Sequence, residues 1–230
     1  VLAAKDGRKP LVDLILDKAG QKGTGKWSVI EAQELGVAAT SIESAVAARI
    51  LSSMKDDRIK AGKSYKMKLP RLKAKRGAAF ESQLENALYA AKICAYAQGF
   101  AVLARGSEER GWNLPLAAIA SIWRAGCIIR SQFLDRISRA FAKSASPPNL
   151  LMTQDFRAMM KDSHVALRKT VADAALAGLP VPALAAALTY FDSYRIARGT
   201  ANLIQAQRDF FGAHTYERID RKGAFHGGWD

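Results

Sequence analysis

Cysteine and histidine are scarce, with two and three copies among 230 residues. Cys94 and Cys127 lie in separate apolar stretches read as helical, which suits reduced core thiols rather than a disulfide framework. His164, His214 and His226 are too dispersed for metal-ligand spacing, so no metal site is expected. No Gly-x-Ser-x-Gly elbow is present, and no Gly-x-Gly-x-x-Gly fingerprint follows a strand. The chain therefore shows no cofactor-binding half of its own, and its cofactor-binding residues stay unknown. No unbroken apolar run approaches the roughly 20 residues that cross a bilayer. Leu179–Leu188 and Leu114–Trp123 come nearest, and both are short, rich in alanine and interrupted by proline. The amino end mixes Lys5, Asp6, Arg8 and Lys9 among its first residues, unlike a secretory signal. A cytoplasmic protein without a membrane partner is the expectation.

Acid is also short. Aspartate and glutamate total 21 against 35 lysines and arginines, a formal net charge of +14. Such a balance suits nucleic acid, an acidic membrane, an anionic substrate or a missing acidic partner segment, and charge alone does not choose.

What is present is helical punctuation. Leu11, Val12, Ile15 and Leu16 recur at helical spacing and stop at Gly20. Thr40 and Glu43 form a capping-box pair ahead of Ile42, Val46, Ile50 and Leu51. The longest helix is expected from about Glu81 to Leu103, with Leu84, Leu88, Ala91, Ala95 and Val102 along one face. Asn113 and Pro115 open a further segment, which Gly126 bends or breaks before Phe133, Leu134, Ile137 and Phe141. Thr153 can cap a helix bearing Phe156, Met160, Leu167 and Val171, which Gly178 and Pro180 end. Pro182 suits the first turn of the next helix, and two helical stretches follow, near Ala183–Tyr194 and Ala201–Phe211. From Ile219 to Asp230 the chain is polar and rich in glycine, an extended tail with Phe225 and Trp229 as aromatic points. The whole is all-α, with eight or so helices and no solenoid repeat. Lys63–Arg76 holds Lys63, Lys66, Lys68, Arg71, Lys73, Lys75 and Arg76 with no acid, and reads as a solvated loop.

Gly20-Gln21-Lys22-Gly23-Thr24-Gly25-Lys26-Trp27 nearly spells the phosphate loop of nucleotide hydrolases. Trp27 stands where a magnesium-binding hydroxyl belongs, and the preceding spacing is helical rather than strand-like, so that reading fails. The loop's glycines still permit close backbone approach to an anion, with Lys22, Lys26 and Thr24 as donors. The bland alternative is a glycine-rich connector with solvated lysines. Arg49, flanked by Ala48 and Ile50, fits a face boundary with a packed stem. Arg208 and His214 sit near a helix end and the turn after it, close enough in sequence to converge on one anion. A capping or surface histidine is the alternative, and spacing does not decide. His164, between Met160 and Leu167, reads as a core or boundary histidine.

Several stretches resemble one family. Lys22-Gly23-Thr24-Gly25-Lys26-Trp27 is similar to a signature loop of decarboxylating 6-phosphogluconate dehydrogenases, as is Arg124-Ala125-Gly126-Cys127-Ile128-Ile129-Arg130-Ser131. The most specific match is Ala201-Asn202-Leu203-Ile204-Gln205-Ala206-Gln207-Arg208-Asp209-Phe210-Phe211-Gly212-Ala213-His214-Thr215-Tyr216, and Phe225-His226-Gly227-Gly228-Trp229 fits the family's tail more loosely. The resemblance covers essentially the whole chain in order and points to the family's carboxy-terminal helical domain. It implies an enzyme that oxidises and decarboxylates 6-phosphogluconate to ribulose 5-phosphate with NADP, in the pentose phosphate pathway. It implies Lys22 and Arg49 on the substrate phosphate with Thr24 beside it, and Arg208 and His214 reaching into a partner subunit's site. A homodimer follows, formed through a helical substrate-binding and dimerisation domain over residues 1–218 and a tail over residues 219–230. The family's Rossmann domain, which holds NADP, and its general-base lysine and acid glutamate have no counterpart here, so no catalytic residue is assigned. The chain starts without methionine partway into the helical domain, as expected of a truncated or proteolysed chain that binds phosphate without turnover. The contrasting reading is a basic helical nucleic-acid-binding module, for which no motif stands out.

Overall fold

The computed structural model describes residues 1–66, 70–72, 77–143 and 149–229. Their helices are α1 (Gly23–Glu34), α2 (Thr40–Ser53), α3 (Lys55–Tyr65), α4 (Ala78–Arg110), α5 (Leu116–Ile122), α6 (Phe133–Lys143), α7 (Gln154–Leu176), α8 (Pro182–Arg195) and α9 (Ala201–Gly212). Two-residue strands form hairpins at either end: β1 (Lys5–Asp6) with β2 (Lys9–Pro10), and β3 (Tyr216–Glu217) with β4 (Ala224–Phe225). The fold is all-α, as expected. The chain gathers into two compact units, Val1–Tyr190 and Phe191–Asp230.

Small residues set how the two long helices of the first unit meet. α4 buries Ala87, Ala90, Ala91, Cys94 and Ala97, a narrow stripe that lets another helix lie close. α7 fills that space, offering Phe156, Met160, Ser163, Leu167, Thr170 and Ala174 at alternating three- and four-residue intervals. No other pair of elements packs as extensively among the described residues. The face expected from the larger side chains is corrected here, since Leu84 and Leu88 remain 40% and 60% exposed. Bulk pointed to leucine, but close helix approach selected alanine. α4 is also long and apolar enough, by length and composition, to cross a bilayer, which no stretch had been expected to be. In this fold 44% of its most apolar window is buried, against the partners of a helical core.

Phe100 joins α4 to the next layer, its ring 5.3 Å from that of Trp123 and 5.1 Å from that of Phe141. Cys94 is fully buried, and burial pushes its thiol up to about 12. Cys127 differs from expectation. It lies outside any helix and is half-buried, because Gly126, at φ 73°, breaks the segment between α5 and α6.

Other local expectations also change. Leu11–Leu14 form only a 3-10 turn, and Leu11, Leu14, Ile15 and Leu16 are exposed. An amphipathic helix draws most of its stability from burying its apolar face, and none of the described residues of this unit buries that one. The capping box at Thr40 is absent. Ala39 is the N-cap of α2, and Glu43 accepts from Gln33 Nε2 at 2.7 Å. Gln98, wholly buried on α4, does the capping from a distance: its Oε1 accepts the Ser41 N–H at 2.9 Å. The supposed basic loop begins as helix, with Lys63 on α3 and Lys66 closing it at φ 52°. Lys68, Lys73, Lys75 and Arg76 lie outside the described residues.

Candidate functional site

Lys22 is the N-cap of α1, so the glycine-rich stretch from Gly23 onward is the start of a helix rather than a connector. The first backbone N–H groups of any helix lack partners within it and favour an anion. Glycine is required at this start for space. A Cβ on Gly23 would come within 2.5 Å of the Trp27 ring, and one on Gly25 within 3.1 Å of Val46 Cγ2 on α2. Trp27 thus lies over Gly23 at the helix entry, while Lys22 and Thr24 are exposed.

α2 holds the segment leading into Lys22. The Arg49 guanidinium donates through Nη2 to the Gly20 carbonyl. One turn on, Ser52 Oγ accepts from the Ala19 N–H at 3.0 Å and lies 2.9 Å from the Ala19 carbonyl. Arg58 on α3 completes the tether, with Nη2 2.6 Å from Asp17 Oδ2 and Nη1 3.3 Å from the Asp17 carbonyl. The hydrogen bond from Arg58, with Lys55 at 3.4 Å, holds the exposed Asp17 carboxyl below the usual range. Arg49, 27 residues beyond Lys22, therefore reaches the loop that ends at Lys22. Sequence spacing did not show Ser52, Arg58 or Asp17, because the three act through tertiary contact.

In the second unit, Arg208 lies exposed on α9 and donates to Gln205 Oε1 at 2.7 Å. His214 lies exposed in the turn after α9, between Ala213 at φ 51° and Thr215 at φ 61°. Its ring folds back over Gly212, where a Cβ would come within 3.0 Å of it. Beyond the turn, β3 precedes the expected tail of residues 219–230 and β4 lies within it, with Tyr216 pairing with Phe225.

The carboxylate that organises this unit escaped the sequence reading. Asp209 is the one fully buried residue among those described in the unit. Its Oδ1 accepts the Thr215 N–H at 2.8 Å, and its Oδ2 accepts the Gly227 N–H at 2.9 Å and the Trp229 indole N–H at 2.8 Å. His226 Nδ1 is 3.0 Å from both oxygens. Burial alone would raise this carboxyl, but the donors from Gly227, His226, Trp229 and Thr215 outweigh it and hold it well below the usual range. An acid in the last turn of a helix, against the macrodipole, was the available signal.

The sign of its pH dependence follows. A carboxyl whose pKa is depressed by folding stabilises above its unfolded value, about 3.9, and loses that contribution as pH falls through the folded value. The Asp209 side-chain carboxyl carbon resonance is therefore expected to show no full protonation step between pH 7 and about 4 and to take one only in stronger acid. A protonation step of that carboxyl centred near pH 5 would contradict this.

A family model described as 6-phosphogluconate dehydrogenase, C-terminal domain, matches residues 1–229. The chain is 48% identical over 224 residues to the decarboxylating 6-phosphogluconate dehydrogenase of Staphylococcus epidermidis, covering 97% of this chain and 48% of that protein. It is 49% identical over 221 residues to that of Synechococcus elongatus, covering 96% and 47%. In three dimensions it resembles Plasmodium falciparum 6-phosphogluconate dehydrogenase, described in apo form, with its cofactor NADP+ and with its substrate 6-phosphogluconate. The TM-score is 0.92 at 42% identity, over 99% of this chain and 49% of that one. The chain belongs to the 6-phosphogluconate dehydrogenase family and corresponds to its C-terminal domain. It spans about half the length of the relatives it matches.

Proposed function

We propose that this chain is the substrate-gripping part of an enzyme that oxidatively decarboxylates 6-phosphogluconate to ribulose 5-phosphate with NADP. The observation that carries the reading is Arg49, held at the loop that ends in Lys22 and opens α1. A point charge at Lys22, the Thr24 hydroxyl, the planar fork of Arg49 and free helix-start N–H groups form a donor set suited to a phosphate monoester. Arg208 and His214 complete it from a second copy. The names of the relatives supply the sugar acid and the cofactor, which a segment outside this chain would chiefly hold.

A homodimer is part of the reading. On α9, Leu203, Ile204, Phe210 and Phe211 are 55–81% exposed, an apolar surface that a second copy would bury. The free thiols Cys94 and Cys127 suit a reducing cytoplasm.

Calorimetric titration of the chain with 6-phosphogluconate tests the site, with sedimentation velocity reporting the dimer in the same samples. Arg49→Ala and Lys22→Ala are each expected to weaken binding at least about tenfold, the cost of an unpaired charge-assisted hydrogen bond. Equal affinity in wild type and both variants would overturn the assignment.

A further inference from the structure

We infer that Asp209 is a positioning residue, a buried carboxylate that fastens the turn bearing His214 to the tail bearing His226 and Trp229, so that ligand binding and tail docking support one another. This rests on the reading of Arg208 and His214 as anion-binding groups.

The geometry makes the link. Asp209 follows Arg208 directly, and its backbone carbonyl accepts the Ala213 N–H at 2.8 Å. The same residue's carboxylate takes the Thr215 N–H, so main chain and side chain together bracket His214. Ala213 and Thr215 both stand in the left-handed region, costly for residues with a side chain, and the bracket holds them there. The second oxygen takes the Gly227 N–H and the Trp229 indole N–H from the far end of the hairpin. Asp209 is not placed to hold a cation, because its oxygens are already engaged by these donors and by His226. No apolar residue is fully buried in the described part of this unit, so turn and tail are joined by the Asp209 carboxylate together with the Tyr216–Phe225 pairing and the Tyr216–Trp229 ring contact at 5.9 Å. An anion that orders His214 therefore also orders the tail, and by thermodynamic reciprocity a docked tail favours the anion.

The test uses the 230-residue chain and 6-phosphogluconate. In wild type, saturating ligand is expected to slow hydrogen exchange at the Gly227 amide and the Trp229 indole several-fold. Asp209→Asn presents an amide N–H to donors that need an acceptor. It is expected to speed exchange at both positions at least tenfold, weaken ligand affinity about tenfold and abolish the ligand-induced slowing, with far-UV helicity retained. Trp229→Phe, which removes one donor at a partly exposed ring, keeps the question open to test if Asp209→Asn fails to fold. It is expected to speed Gly227 exchange and weaken binding two- to threefold. Wild-type affinity in a variant whose tail exchange has risen would overturn the inference, as would unchanged exchange in Asp209→Asn. Arg208→Ala separates the two readings: a loss of affinity there with none in Asp209→Asn defeats only the positioning role. Undiminished affinity in Arg208→Ala, or no binding by wild type, defeats the anion site and the inference together.

Discussion

Mixed with NADP and 6-phosphogluconate, the 230-residue chain is expected to reduce no cofactor. Hydride transfer requires a nicotinamide held against the substrate carbon, and no dinucleotide fingerprint occurs in this sequence. The relatives it matches are about twice as long, which leaves room for a cofactor domain. A phosphate grip binds and orients without supplying a hydride acceptor or a proton acceptor at the reacting carbon. Absorbance at the reduced-nicotinamide band, followed over hours at high protein concentration, should match a blank without protein. Reproducible reduction that scales with protein concentration would refute the expectation.

Phe100→Ala is expected to cost about 3–5 kcal/mol, the usual range for removing a buried aromatic side chain from a core. Phe100 is 2% exposed and bridges α4 to Trp123 and to Phe141 on α6, so its loss leaves a cavity among rings that cannot readily close in. For a chain of this size the midpoint of thermal unfolding should fall on the order of 10 °C. Leu176→Ala is the control. That side chain is 90% exposed, and its replacement should change stability by no more than about 0.5 kcal/mol. Comparable losses at both positions would mean that the described core is not where the stability resides.

Much of the helical order was legible because glycine and proline mark it. Gly126, Gly178 and Pro182 fall at the breaks and starts they suggested, and Phe156, Met160 and Leu167 face inward on α7. α3 went unread because it buries nothing: Asp56, Asp57, Arg58 and Lys60 leave no apolar stripe to detect. α1 was hidden by Gly23 and Gly25, each disfavoured in a helix by roughly 1 kcal/mol against alanine, a cost outweighed by packing against α2. The hydrogen bond from Arg49 to the Gly20 carbonyl joins residues 29 positions apart, which periodicity cannot reveal. Lys22, Thr24, Arg49, Arg208 and His214 became candidates as a set only through family resemblance. Asp209 stayed hidden for a different reason: its place against the macrodipole marks it as unusual, but nothing local announces the tail donors, 18 and 20 residues further on, that enclose it.

That enclosure has a calorimetric consequence. The heat capacity of unfolding grows with apolar surface newly exposed to water and shrinks with polar surface. A unit whose interior point is a carboxylate, and whose α9 already shows Phe210 and Phe211 to solvent, has little apolar surface left to expose. Undocking of the tail should therefore add little to the heat-capacity step and little to the denaturant slope, both of which scale with area. The Phe100 layer would write the melting curve of this protein, and the region around Asp209 could open almost unseen by heat.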